Sequence, residues 1–311
     1  MAHVPHPASP LVDTLEGLHL FHFDGAPCAQ RVRFALREKG LHRGREVRFD
    51  DGSPSAIRGE PGRWVSRRVS LVRKDHMTPA YAAIHPDLVV PALVHEGQLH
   101  LESMDIIGYL DEAFGGAPLV PPGETEIAQE ASRLTRLGKE LHRSIRFVTF
   151  RWGLGSLGRL NAKEEQNLKQ LLREQHDGEN LIDFYEGYDR QSAKGGFPEA
   201  VYAEHLENLN NAFRDLDTQL GDGRPFLAGA DLTMADVLWA MKAMRLTECG
   251  YPFEACFPEV FAWFERIETR PAFQEGVMGK HRLLHRAFRA KARLEKLFGV
   301  GLEQEVLRRV A

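Results

Sequence analysis

Residues 18–40 read LHLFHFDGAPCAQRVRFALREKG, a pattern of strand, turn and helix. Leu18, Leu20, Phe21 and Phe23 make a short apolar run with partial two-residue alternation, stopped by the turn dipeptide Asp24-Gly25. Pro27 suits the first position of a helix, where its missing N–H costs nothing. Val32, Ala35 and Leu36 then share one face before Lys39-Gly40 closes the helix. The spacing places Cys28 in the first helical turn.

Backbone N–H groups in a first turn lack intrahelical partners, and the helix dipole adds roughly 0.3–1 kcal/mol in favour of an anion there. Ala26, at the expected N-cap, has no side-chain oxygen to occupy those donors, which leaves them to a thiolate or a bound sulfur. A free cysteine is as often an inert apolar filler, so this stretch alone weighs the two readings evenly.

A chain of 311 residues can form two domains with real cores, and 43% apolar with 27% charged composition excludes general disorder. A net charge of −4 gives no reason to expect nucleic acid as a partner. Cys28, Cys249 and Cys256 show no paired CxxC spacing, so neither a disulfide framework nor a zinc site is expected, and no metal is assigned. The first residues lack the basic and apolar regions of a signal peptide, and no run approaches ~18 apolar residues. A cytoplasmic protein is the expectation.

Four segments follow along the chain. Residues 1–14, rich in proline and without either period, read as a flexible arm. Residues 15–120 form the first domain, with Arg45 to Phe49 as a second strand. Arg58 to Lys74 then sets six cations against Glu60, and residues 51–76 read as a basic loop or small lid, more readily a solvated surface than an anion site. Asp87 to Val94 and Gln98 to Leu101 read as strands around the turn Glu96-Gly97, with Ser103 as N-cap of the helix carrying Ile106, Ile107, Leu110 and Phe114.

Gly115 to Gly123 is the clearest linker, and residues 124–279 are helical throughout. Within them Thr233 and Asp236 form a capping box after Phe226. Residues 280–311 form an amphipathic basic tail with Leu283, Ala287, Ala290, Leu294 and Leu297 spaced alternately by four and three. Such a stripe more often docks on its own fold or on a partner subunit than on an anionic membrane surface.

The segments PCAQRVRFALREKG (27–40), DLVVPALVHEGQLHLESMDIIGYL (87–110) and FLAGADLTMADVLWA (226–240) together resemble the glutathione transferase superfamily over roughly residues 18–279. The nearest branches are the tetrachlorohydroquinone reductive dehalogenases, the β-etherases and relatives of ganglioside-induced differentiation-associated protein, judged by Leu227 to Ala243 and a helical insert over about 155–198. The resemblance implies an α/β thioredoxin-like N-terminal domain followed by an all-α C-terminal domain. It implies an enzyme with glutathione as co-substrate, paired as a homodimer.

It further implies a cis Val90-Pro91 bond, with the Val90 backbone pairing to the cysteinyl part of glutathione, and Glu102 and Ser103 on its γ-glutamyl end. Cys28 matches the dehalogenase cysteine and would resolve a glutathionyl adduct by thiol exchange. Phe23, Arg136, His142 and Arg146 would line the pocket of a small hydrophobic, aromatic electrophile undergoing conjugation, dehalogenation or ether cleavage. The chain departs from the family at Ala26 and Pro27, where it lacks the usual serine or tyrosine. The alternative is therefore a retired enzyme used for binding or assembly.

Overall fold

The computed structural model describes residues 3–154, 161–173 and 199–310, so the expected insert lies outside the described residues except for 161–173. The chain forms two compact units, one containing residues up to Ala117 together with 161–173, the other containing 118–154 and 199–310.

The first unit is built on a mixed sheet of six strands: β1 (His3–Val4), β2 (Leu18–His22), β3 (His42–Arg48), β4 (Arg63–Arg68), β5 (Ala92–His95) and β6 (Gln98–His100). Their order is β1-β6-β5-β2-β4-β3, with β2 parallel to β4 and antiparallel to β5. Every residue of β2 is buried, as a strand covered on both faces must be. Helix α1 (Pro27–Glu38) follows it, α2 (Pro79–Ala82) is a single turn, and α3 (Ser103–Ala113) packs beside α1.

The sheet ends are built differently from its centre. β3 is largely exposed and charged, and its pairing with β4 is interrupted between Arg43 and Glu46, whereas β1 is two residues long.

Three readings are corrected here. The arm at 1–14 is pinned: His3 and Val4 pair with β6, and Val12, fully buried, joins the core with Leu15. The basic segment within 51–76 contains β4, set between β2 and β3. Trp64, Val65, Ser66 and Arg67 are buried there. The Arg67 guanidinium donates to the carbonyls of Phe49, Asp51 and Ala56 and to His19 Nδ1, so its donors are spent inside the fold. Helix α6 (Ala162–Arg173), read from sequence as part of the helical domain, groups with the sheet, because Leu168 and Leu171 pack on Met77, Ala82 and Leu88 and the Asn167 amide donates to the Met77 carbonyl.

The second unit is helical: α4 (Glu126–Glu140), α5 (His142–Thr149), α7 (Glu199–Leu220), α8 (Met234–Glu248), α9 (Phe253–Cys256), α10 (Pro258–Glu268), α11 (Pro271–Phe273), α12 (Arg282–Leu297) and α13 (Leu302–Val310). α8 is its axis, buried around its whole circumference. A Cβ on Gly138 would meet Leu238 at 2.6 Å, so α4 lies against α8 through a glycine, and Trp239 Nε1 donates to the Leu134 carbonyl. Asp236, fully buried, starts α8. Its Oδ2 accepts from the Thr233 N–H and hydroxyl, and its Oδ1 from the Leu227 N–H and Trp263 Nε1.

The tail is two helices rather than one. α13 is held by buried Leu302 and Val306. α12 is held through His281, just before it, and His285, both buried against Glu248. Its periodic apolar stripe does not face the fold: Leu283 is 78% and Leu297 79% exposed. No helix among the described residues is long and apolar enough to cross a membrane.

Candidate active site

Cys28 is the second residue of α1 and is half-buried, with a free thiol. Ala26 is the N-cap in extended conformation (φ −81°, ψ 123°) and makes no side-chain cap bond, so the first-turn amides receive nothing from it. Helix α1 is tied to the loop before it by Arg33, whose guanidinium donates to the carbonyls of Phe23 (3.4 Å) and Asp24 (2.8 Å) and to His22 Nδ1 (3.2 Å). The loop that leads into the helix turn bearing Cys28 is thereby held by a buried arginine.

The Val90-Pro91 peptide is cis, and the Tyr81 hydroxyl donates to the neighbouring Val89 carbonyl at 2.7 Å. Val90 is buried in one hydrophobic cluster against which Phe23 and Ala26 pack, so the segment before β5 and the loop before α1 meet in that cluster.

Ser103 is the first residue of α3, not its N-cap; Glu102 holds that place with φ 59° and ψ 109°. A left-handed non-glycine residue is strained by about 1–3 kcal/mol, and such strain concentrates at binding sites. Glu102 is exposed at the mouth of the helix, whereas Ser103 is buried.

Arg31 is a residue that the sequence reading missed. One turn beyond Cys28 on α1, it is 5% exposed, its Nη1 donates to Ser103 Oγ at 3.3 Å, and its Nε has no partner. A guanidinium buried with one long hydrogen bond and no carboxylate is expensive, and it is aimed at the amino end of α3. The signal in the sequence was Arg31-Val32-Arg33, two arginines flanking a core valine, where a surface helix face would put them apart.

The remaining candidates lie in the second unit. His142 and Arg146 are half-buried one turn apart on α5, and Arg136 is exposed on α4, on the side opposite buried Ala131, Leu134, Thr135 and Gly138.

Against the expectation of no metal, one group among the described residues has ligand geometry: Glu248, His281 and His285, all buried, offer atoms within 4.8 Å of one another. Glu248 Oε1 accepts from His281 Nε2 at 2.6 Å and from His285 Nδ1 at 3.0 Å, and Oε2 accepts from Arg245 Nη1 at 3.0 Å. The carboxylate is already paired on both oxygens, so the group is complete as an ion-pair clamp for α12.

Residues 20–118 match the family model "Glutathione S-transferase, N-terminal domain" and 199–266 match "Glutathione S-transferase, C-terminal domain". The chain is 32% identical over 104 residues to Glutathione S-transferase 1 of Dianthus caryophyllus, a match covering 33% of this chain and only 38% of that relative. It is 24% identical over 297 residues to the 2,5-dichlorohydroquinone reductive dechlorinase of Sphingobium indicum, covering 83% and 82% of the two chains. Among solved structures, the beta-etherase LigF of a Sphingobium strain superposes with a TM-score of 0.66 at 20% identity, covering 84% of this chain and 98% of that one.

Proposed function

Because the chain belongs to the glutathione S-transferase family, its two domain models together matching more than half of the sequence, we propose that it is a glutathione-dependent transferase. Arg31, buried beside Ser103 with its Nε unpartnered among the described residues, carries this reading, because it supplies a cation that a bound carboxylate would neutralise. The γ-glutamyl carboxylate would accept from the Ser103 hydroxyl and the free amides of α3, while Glu102 accepts from the ammonium beside it. Val90 would pair by its backbone with the cysteinyl unit, as an added strand does, with Pro91 setting the entry to β5.

The glutathione thiol would then lie toward the opening of α1, lose its proton there, and attack an electrophilic carbon of an aromatic substrate. The new S–C bond forms as halide or phenolate leaves with the bonding pair. Reductive chemistry needs a second step. The Cys28 thiolate attacks the glutathionyl sulfur, the S–C pair leaves with carbon and takes a proton, and a second glutathione releases Cys28 as glutathione disulfide. Two glutathiones are thus oxidised as one carbon is reduced. The likeness to a dechlorinase and to a β-etherase supports this substrate class.

Two measurements test it. Cys28→Ala should retain glutathione binding by calorimetry, accumulate the thioether from a chlorinated hydroquinone, and lose disulfide production by at least ~100-fold. Turnover to disulfide at the wild-type rate removes Cys28 from the mechanism. Absence of glutathione-dependent turnover with halogenated quinols, aryl ethers and chlorodinitrobenzene alike supports the binding-protein alternative that the alanine at position 26 raises.

Arg31→Met should weaken glutathione by about 10- to 100-fold, the ~1.5–3 kcal/mol of a hydrogen bond to a charged group. A glutathione analogue lacking the γ-glutamyl carboxylate should bind both proteins equally. Equal loss for both ligands would mean that Arg31 only supports the fold.

A further inference from the structure

Six of the nine exposed large hydrophobic residues among those described fall in one stretch, 283–300. α12 is docked through His281, His285 and Ala292, the last against Gly250, and is tied at its flank by Lys291, which donates to the Trp152 carbonyl. At roughly 100° per residue, Leu283, Ala287, Ala290, Leu294, Leu297 and Phe298 occupy one arc turned away from His285 and Ala292. An exposed, continuous apolar stripe of this kind marks an interaction surface.

Its borders identify the partner. Arg282, Arg286, Arg289 and Arg293 follow one edge of the stripe and line a groove of about 340 Å³ with Glu268 and His285. Among the described residues Arg286, Arg289 and Arg293 make no ion pair or hydrogen bond, and Arg282 donates only to Gln274. α12 carries six cations and one acid, Glu295. A second copy of the chain meeting this face would bring the same excess of cations against itself, which is unfavourable. An anionic lipid surface offers acyl chains to the stripe and phosphates to the arginines together.

We propose that α12 is an in-plane membrane-surface helix, laying its apolar arc into the interface of an anionic bilayer with its four arginines on the headgroup phosphates. No transmembrane segment is involved, and the inference stands apart from the transferase reading.

The test is sedimentation of the full chain with vesicles of phosphatidylcholine alone or with 30% phosphatidylglycerol. The mixed vesicles should bind at least ten times more tightly at 50 mM salt, and 0.5 M salt should release most of the protein. Leu283→Ser combined with Leu297→Ser should abolish binding, and Arg286→Ala with Arg289→Ala should remove the preference for anionic lipid. Unchanged far-ultraviolet circular dichroism shows the variants folded, as expected where Leu283, Arg286 and Leu297 are exposed and Arg289 is half-buried. Equal binding to both vesicle types, no binding to either, or a self-association that the serine variant removes overturns the proposal; the last would assign the stripe to a second copy.

Discussion

Acidification from pH 7 to about pH 5 is expected to unfold the sheet-bearing unit cooperatively, because its buried histidines fold neutral and must charge on unfolding. Burial pushes His19, His76, His85 and His100 down from 6.5 to about 4 each. Burial, with the charge of Arg33, takes His22 well below 6.5 as well. The geometry gives the same answer independently. Arg67 Nε donates to His19 Nδ1 and Arg33 Nη1 donates to His22 Nδ1, so each ring must accept at Nδ1, and a proton placed there would break the bond.

The sign follows from proton counting. Between pH 6.5 and about 4 the unfolded chain binds protons on these rings and the folded unit does not. Stability is therefore complete above the unfolded value and falls as pH drops through this window. At full effect each of the four rings held near 4 contributes roughly 3 kcal/mol, and even half of that over the four reaches the lower end of the ~5–15 kcal/mol of a whole domain. Hydrogen exchange of the β2 and β5 amides across this range is the check. Protection persisting to pH 4 would contradict the expectation, and His76→Gln with His85→Gln should flatten the slope by about two protons.

Replacing Glu248 by alanine is expected to destabilise the helical unit by about 3–5 kcal/mol, the effect of breaking a buried pair and stranding its partner. Arg245 would lose the Glu248 carboxylate, and His281 and His285 their common acceptor. The loss should appear in urea unfolding and as deprotection of α12. Glu248→Gln, which keeps an acceptor without the charge, should cost less. Burial pushes the Glu248 carboxyl up, but hydrogen bonds from His281 and His285 and the Arg245 charge outweigh it and hold the group well below the usual carboxylate range. Its contribution is thus present above about pH 4.3 and lost on further acidification, a window that the alanine variant should no longer show.

Much of this architecture is legible in the sequence. The strand, turn and helix at 18–40 and the capped helix after Glu102 announce themselves by local rules, since turn residues and helical spacing act within a few positions. β4 does not, because Arg63-Trp64-Val65-Ser66-Arg67-Arg68 hides a central strand under charge. Arg67 is tolerated there only because carbonyls more than ten residues away turn toward it. Arg31 escaped for a related reason: a buried cation is legible only once the helix that it faces is in place. On α12 the apolar spacing pointed to the wrong docking face, since Glu248 selects the two histidines instead.

An exposed strand carrying Arg43, Arg45, Glu46 and Arg48 with a break in its ladder, opposite a border only two residues long, gives an incoming chain no regular row of amides to copy. Growth of the sheet into stacked or fibrous assemblies is blocked at both ends. Copies of this protein that associate are expected to do so through surfaces other than the two sheet edges.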